Sequence, residues 1–274
     1  MSVSTPIAHA QTAAPLAALL PARRGIAWKV TPAEYGIRAN AAMSRITDGF
    51  RSLIVVEQAG VIEVYADRPD DFAVTPEVTV DAAGPDPVAA LAAHVLRCTL
   101  PLLDTERAAE TLRTGGDEQA LRDRVDALTE VGFALIDHGA HAASTVRLDG
   151  EGLEWTTSQG GQWWMQAISL EGTLCLGFCG PVSGLYALLP SLLPPADGHA
   201  ATGAGSAFTR HLTGRFPQLR PLADDEVEFG GYRQPHGWIA TSGDTSTAGD
   251  DTRVAAQFSV LGPDLLLTAA SHLL

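Results

Sequence analysis

The sequence predicts an α+β fold made of repeated α-β-β-β-α units with antiparallel sheets in a pseudo-symmetric arrangement. Two observations predict this class. Short strand-like runs joined by glycine turns occur in three groups, and a helix-like apolar pattern precedes each group. A Gly-Pro junction then ends each group and leads into a further helix-like stretch, with its glycine at Gly84, Gly180 and Gly262.

The first unit is predicted over residues 12–103. It begins with a weak helical pattern, and "LIVVEQAGVIEVYA" at 53–66 is typical of a hairpin that turns at Gln58-Ala59-Gly60. "EVTVDA" supplies a third strand. Asp86 is expected to cap the N-terminus of a helix that has Pro87 as its first residue and extends to Leu103.

The second unit is predicted over residues 117–194. Its first helix, 118–137, has a regular apolar stripe that predicts the buried side. Strands follow over 152–179, with a two-residue hairpin loop at Gly160-Gly161 and a second reversal at Glu171-Gly172. Leucines at helical spacing after Gly180-Pro181 predict a helix that Pro190 kinks or ends. The stripe of the first helix consists of Leu121, Val125, Leu128, Gly132 and Leu135.

The third unit is predicted over residues 206–274. It contains a helix in "SAFTRHLTGRF", strands in "EVEFGGYRQPHGWIATSG" and "RVAAQFSVL", and a last helix from Leu265 to Leu274 with Asp264 as its N-cap. Whether the three units are true repeats, and whether they pack as one body, stays open.

The composition excludes some classes of function. The formal net charge is −14 and Lys29 is the one lysine, which excludes tight nucleic-acid binding. No apolar run reaches the roughly 20 residues that a membrane-spanning helix needs. Three cysteines give no disulfide framework and are expected to be thiols, with Cys175 and Cys179 both buried on one strand face. These features predict a cytoplasmic protein, and the codon usage implied by the composition predicts a high-GC bacterial source.

No catalytic, cofactor or metal site is predicted. Asp86/His94 and Asp264/His272 resemble a repeated acid-base pair, but eight helical residues separate the two groups by about 12 Å. They are interpreted as helix caps and C-terminal histidines. A metal site at His138 and His141 is the alternative to a helix end with Gly139 as its cap.

Trp163 and Trp164 are the candidate protein interface. Adjacent residues of a strand point to opposite faces, so one tryptophan is expected in the core. The other must lie under another element, a partner or water, and an aromatic side chain on a sheet is a typical contact residue.

"AWKVTPAEY" at 27–35 resembles the opening of the EspG-type chaperones of actinobacterial type VII secretion. The segment 163–195, strands followed by "LYALLPSLLPP", is similar to the end of the first half of those proteins. The resemblance implies an acidic, pseudo-repeated α+β chaperone of the cytosol that binds secreted substrate pairs without catalysis.

The expected function is therefore that of a non-catalytic, cytoplasmic, protein-binding adaptor or chaperone-like protein with a link to secretion. The oligomeric state stays open. One alternative is a small-molecule or metal-dependent enzyme with a site between units that uses His138, His141 or His236. Another is a structural component of a phage-like or secretion assembly.

Overall fold

A computed structural model describes residues 9–33, 36–68, 75–139, 152–157, 160–167, 172–195, 205–231 and 234–274. Helices accompany two antiparallel sheets, of five and seven strands, so the predicted α+β class is confirmed. The chain divides into two compact units, Met1–Leu103 and Asp104–Leu274. The strands of the second and third predicted units lie together in the seven-stranded sheet, whereas their relation as repeats stays a prediction.

The first unit is built on a five-stranded meander in which each strand pairs with the next along the chain. Ala59 and Gly60 both have positive φ (49° and 83°), the backbone that the predicted hairpin turn requires. The elements, in order, are α1 (Ala13–Leu19), β1 (Lys29–Pro32), β2 (Ala42–Thr47), β3 (Ser52–Gln58), β4 (Val61–Ala66), β5 (Val78–Asp81) and α2 (Pro87–His94).

The central strand β3 of this first sheet is buried on both faces. On one face Ile54 and Tyr65 belong to a core that the segment around Ala33 and Ala41 completes. The other face carries Leu53 and Val55, both fully buried, and contacts from α1 and α2 reach strands of this sheet. The central strand β3 is therefore enclosed on both sides.

The Asp86 carboxylate accepts a hydrogen bond from the Ala89 N–H (3.0 Å) with Pro87 in the first turn, as predicted. The helix does not end at Leu103, however. It continues through a π-helical turn, Val95–Thr99, into α3 (Leu100–Arg113). His94 is consequently not at a helix end, and the prediction of a C-terminal histidine is wrong there.

Pro87–Arg113 is the one helix of the described residues that is long and apolar enough, by length and composition, to cross a membrane. Half of its most apolar window is buried inside the protein. One such helix is weak evidence that the chain spans a membrane.

The seven-stranded sheet of the second unit has the order β6-β7-β8-β12-β11-β10-β9, so two meanders meet at the central antiparallel pair β8 and β12. A helix precedes each meander and a Gly-Pro junction follows it. The elements are α4 (Asp117–Asp137), β6 (Gly152–Thr156), β7 (Gln162–Ala167), β8 (Leu174–Pro181), α5 (Leu189–Leu192), α6 (Ala207–Arg215), β9 (Arg220–Ala223), β10 (Glu226–Phe229), β11 (His236–Ala240), β12 (Arg253–Leu261) and α7 (Pro263–Ala269).

Two turn and helix predictions for the second unit are corrected. The β6–β7 connection is not a two-residue loop at Gly160-Gly161 but spans 157–161, closed by the Thr157 N–H to the Gly161 carbonyl (2.8 Å). After Gly180-Pro181 the chain forms only a 3₁₀ turn, Val182–Leu185, and the four-residue α5. Pro190 lies in the first turn of α5, where its missing N–H is tolerated. Of the predicted reversal at Glu171-Gly172, Glu171 lies outside the described residues.

Two further predictions fail for reasons of packing. Asp264 is not an N-cap: Gly262 caps α7, Pro263 is its first residue, and Asp264 is fully buried within it. In α4, Leu121 and Val125 were expected inside but are exposed. Leu128 and Leu135 of the predicted stripe are buried, and Ala120, Ala127 and Val131 complete the buried side of α4.

Candidate functional site

The two candidate interface residues lie on opposite faces of the seven-stranded sheet. Trp163 is 2% exposed, and its ring stacks on Trp155 (centroids 6.0 Å apart) and contacts Phe178 (4.5 Å). The Trp155 indole N–H also donates to the Leu273 carbonyl (2.8 Å), which fixes this aromatic cluster in the core. Trp164 is only half-buried, on the outer face. Of the predicted pair, Trp164 is the one that solvent reaches.

The outer face carries a row of directly paired side chains that crosses all seven strands. Cross-strand partners in antiparallel sheets share a face, so the strand registers define the row. Trp164 and Trp238 stand three strands apart in it, about 14 Å at the usual spacing of 4.7–4.9 Å. The row reads Glu154, Trp164, Gly177, Gln257, Trp238, Glu228 and Arg220.

Gly177 lets the Trp164 indole lie flat against the sheet. A Cβ atom built on Gly177 would be 1.8 Å from Trp164 Cε2 and 2.2 Å from its Nε1. Any larger residue at this position would therefore push the ring away. The ring therefore packs closely on the Gly177 backbone while Trp164 stays half-exposed.

Each tryptophan has a glutamate as one cross-strand partner, Glu154 beside Trp164 and Glu228 beside Trp238, whereas the strands between the two tryptophans are uncharged in this row. Gln162 and Gln166 flank Trp164 on β7, and Ala255 and Cys179 are exposed on the central strands. The charges stand toward the edges of the row, where Arg220 Nη2 lies 3.3 Å from Glu228 Oε1. Aromatic anchors within a polar rim, with few charges at the centre, are typical of a protein contact surface.

The two cysteines of β8 share the outer face, as predicted, but only one is buried. Cys175 Sγ lies 3.8 Å from Ser259 Oγ, and burial raises the pKa of its thiol. Cys179 is exposed, which corrects the prediction that both thiols are buried. The outer face is therefore accessible at its centre.

The histidines do not form a metal centre in the part of the chain that is described. His138 is exposed just after α4, His236 is half-exposed on β11, and His141 lies outside the described residues. Among the described residues, no group of three or more His, Cys, Asp or Glu side chains is placed to hold a metal ion.

A polar cluster around Tyr186 joins residues that are far apart in sequence. The Tyr186 hydroxyl lies 2.7 Å from His211 Nε2 and donates to Asp250 Oδ1 (2.9 Å), while the Arg215 guanidinium stands 4.0 Å from the centre of its ring. The Ser183 N–H also donates to the Asp250 carbonyl (3.1 Å).

The contacts of this cluster link three segments of the second unit. Burial, followed by the hydrogen bond to Asp250, raises the pKa of Tyr186, so the hydroxyl keeps its proton. A general base needs the opposite shift. The contacts fasten Asp250, in the loop between β11 and β12, to the 3₁₀ turn that follows β8.

No family model, curated protein or solved structure matches this chain. The resemblance to the EspG-type chaperones therefore stays a prediction from the sequence. The residues that sequence reasoning missed are Trp238 and Gly177. Alternation in "HGWIA" places Trp238 opposite the buried Ile239, but only the strand registers show that it shares a row with Trp164.

Proposed function

We propose that this protein is a non-catalytic adaptor or chaperone-like protein that binds a protein partner on the outer face of the seven-stranded sheet. The observation that carries the proposal is the half-exposed Trp164 ring, held flat on Gly177 in one row with Trp238. The predicted cytoplasmic location and link to secretion belong to the same proposal and rest on sequence alone.

A tryptophan ring that is packed against the sheet is well suited to binding a partner. Most of the free energy of a protein interface comes from a few residues, among which tryptophan is enriched, surrounded by near-neutral contacts that exclude water. A ring already fixed against the sheet loses little conformational entropy when a partner covers it. Gln257 lies between the two tryptophan strands and offers hydrogen bonds without the desolvation cost of a charge.

The partner that fits this face is a protein with an exposed apolar group that can stack on the Trp164 ring. The overall charge of −14 disfavours an acidic partner and any nucleic acid. The resemblance to secretion chaperones favours a secreted substrate as that partner.

The test compares a variant of Trp164 with a control variant in the other compact unit. The wild-type chain, Trp164→Ala and Leu19→Ala are each used to capture partners from a lysate of the native host. We expect the wild type and Leu19→Ala to recover one stoichiometric protein. Trp164→Ala should weaken its binding at least tenfold while leaving thermal unfolding nearly unchanged. Leu19 is the matched control because it is an exposed apolar residue of the other compact unit.

Trp163→Ala separates binding from folding. Loss of this core ring should lower the free energy of unfolding by about 3–5 kcal/mol. The proposal fails if Trp164→Ala retains the partner at wild-type affinity, or if the wild-type chain stays without a partner in the lysate.

A further inference from the structure

Helix α4 carries a second apolar stripe that faces solvent. Leu121 (47% exposed), Val125 (40%), Phe133 (65%) and Ile136 (49%) lie outside the buried side of the helix. Single exposed apolar residues are ordinary, but several grouped on one helix mark a contact surface. We call these four residues the α4 stripe.

The α4 stripe consists of two exposed pairs, Leu121 with Val125 and Phe133 with Ile136, and between the pairs Gly132 packs on Leu153 of β6. Leu121, Val125 and Ile136 recur at intervals of four and eleven residues, which keeps them on one side of a helix with 3.6 residues per turn. Phe133 lies next to Ile136, three residues earlier, and widens the apolar side of the helix at that end. The stripe covers 15 residue steps, about 22 Å along the axis at 1.5 Å per residue.

The helix below the stripe is fixed in place. Leu128, Val131 and Leu135 are buried, and Gly132, on the same side of the helix as Val125 and Ile136, packs on β6, where a Cβ at Gly132 would meet Leu153 Cδ1 at 3.2 Å. α4 also contacts α7 and the strands β6 and β7. A partner would therefore meet a preformed surface rather than a segment that must fold.

The charges on α4 determine which partner suits it. The helix has six acidic and two basic residues, a net charge of −4. Along the helix, Glu118 is paired with Arg122 (4.0 Å), and Asp137 is exposed at its C-terminal end. This distribution attracts a basic surface and repels an acidic one.

We infer that the α4 stripe docks an amphipathic helix of another protein whose apolar side is flanked by lysines or arginines. A helix laid against an apolar stripe and anchored at i, i+4 and i+7 positions is a common form of recognition. A second copy of this chain would bring the same acidic helix against its own, which disfavours a homodimer through this surface. The inference is independent of the function proposed for the sheet, which uses different residues.

The test uses three synthetic 18-residue peptides with the intact protein. The first has leucines at helical spacing flanked by lysines, and the second has glutamate in place of each lysine. The third has the same composition as the first, but its leucines are out of helical spacing. We expect the first peptide to bind at least tenfold more tightly than the other two, and its affinity to fall as salt rises. Binding is measured by fluorescence anisotropy of the labelled peptide.

Variants of the protein locate the surface. Phe133→Glu should weaken binding of the first peptide at least tenfold. Leu19→Glu, at a matched exposed position in the first unit, should bind this peptide like the wild type, and so should Trp164→Ala. Loss of binding in Trp164→Ala would instead assign the peptide to the sheet. Phe133→Glu should also leave the midpoint of thermal unfolding unchanged.

Several results would overturn the inference. These are absence of binding by the basic peptide, equal binding of the acidic or scrambled peptide, or equal binding by Phe133→Glu. A wild-type dimer that Phe133→Glu dissociates would assign the stripe to a second copy. Recruitment to neutral lipid vesicles that requires Phe133 would assign it to a membrane, and a large loss of stability in Phe133→Glu would show that the chain itself covers the stripe.

Discussion

Strands of the two sheets of this protein differ in how many of their faces are buried. In the five-stranded sheet, Leu53, Ile54, Val55 and Val56 of β3 are all enclosed, although successive residues point to opposite faces. In the seven-stranded sheet, β7 alternates between buried and accessible residues. Both sheets are built from antiparallel meanders followed by a Gly-Pro junction and a helix, so a similar architecture encloses the central strand β3 in one unit and leaves one face of β7 accessible in the other.

Sequence composition explains the difference. The run "LIVV" is typical of a strand covered on both sides, whereas "QWWMQA" alternates glutamine with apolar residues apart from its tryptophan pair. Trp164 is the exception to that alternation, since it occupies a position on the outer face. Departures from a strand's regular pattern are where a functional residue is best sought.

The largest effect is expected from placing the same charge on each sheet. Val55→Asp buries a carboxylate that has no partner in the first sheet, and we expect a loss of about 4 kcal/mol or more, or failure to fold. Ala255→Asp places a carboxylate on the exposed outer face of β12, where its cross-strand neighbours Ala240 and Cys179 are uncharged. Its cost should stay within about 0.5 kcal/mol.

Urea unfolding followed by circular dichroism measures both variants, and Val55→Ala separates the charge from the loss of volume. If Ala255→Asp destabilises the chain as strongly as Val55→Asp, the outer face of the second sheet is also enclosed. The proposed binding face would then not exist.

Local signals identified several elements of the fold correctly. The β3–β4 hairpin was predictable because Ala59-Gly60 separates two apolar runs, and the start of α2 because Asp86 precedes a proline. Both depend on residues adjacent in sequence, for which backbone chemistry alone decides the structure.

Choices between two apolar surfaces were not predictable in the same way. The apolar pattern of α4 correctly included Leu128 and Leu135, but it gives no sign that Leu121 and Val125 are exposed while Val131 is buried. Likewise, alternation separates Trp163 from Trp164, but only the stacking on Trp155 decides which one is inside. These outcomes depend on partners from distant parts of the chain.

A smaller effect is expected from pH, through His94 in the first unit. Burial, followed by the nearby charge of Arg97, lowers the pKa of His94 below its ordinary value of 6.5. A group with a depressed pKa in the folded state contributes its full stability above the unfolded value, and that contribution is lost as the pH falls below 6.5 toward the folded pKa. We therefore expect the wild type to lose stability between pH 7 and pH 5.

His94→Gln should reduce this loss, whereas His138→Gln, an exposed position in the second unit, should not. Thermal unfolding at a series of pH values compares the three proteins. An unchanged acid sensitivity in His94→Gln would show that protonation of this histidine does not limit the stability of the first unit.

The mildest comparison leaves the sequence intact and measures the reactivity of the three thiols. Alkylation by iodoacetamide requires the thiolate, so a raised pKa and burial both slow it. Burial raises the pKa of Cys98 in the first unit and of Cys175 in the second, whereas Cys179 is exposed on the outer face. We expect Cys179 to react first at pH 8, with Cys98 and Cys175 reacting at least tenfold more slowly until the chain unfolds.

Mass spectrometry of timed samples assigns each label, and Cys179→Ser should leave only the slow phases. Addition of the captured partner should then slow Cys179 without affecting Cys98, because only the first of these thiols lies on the proposed binding face. A Cys179 as slow as Cys175 in the isolated chain would mean that the outer face is already covered. Full reactivity of Cys179 in the complex would show that the partner does not cover the centre of the sheet.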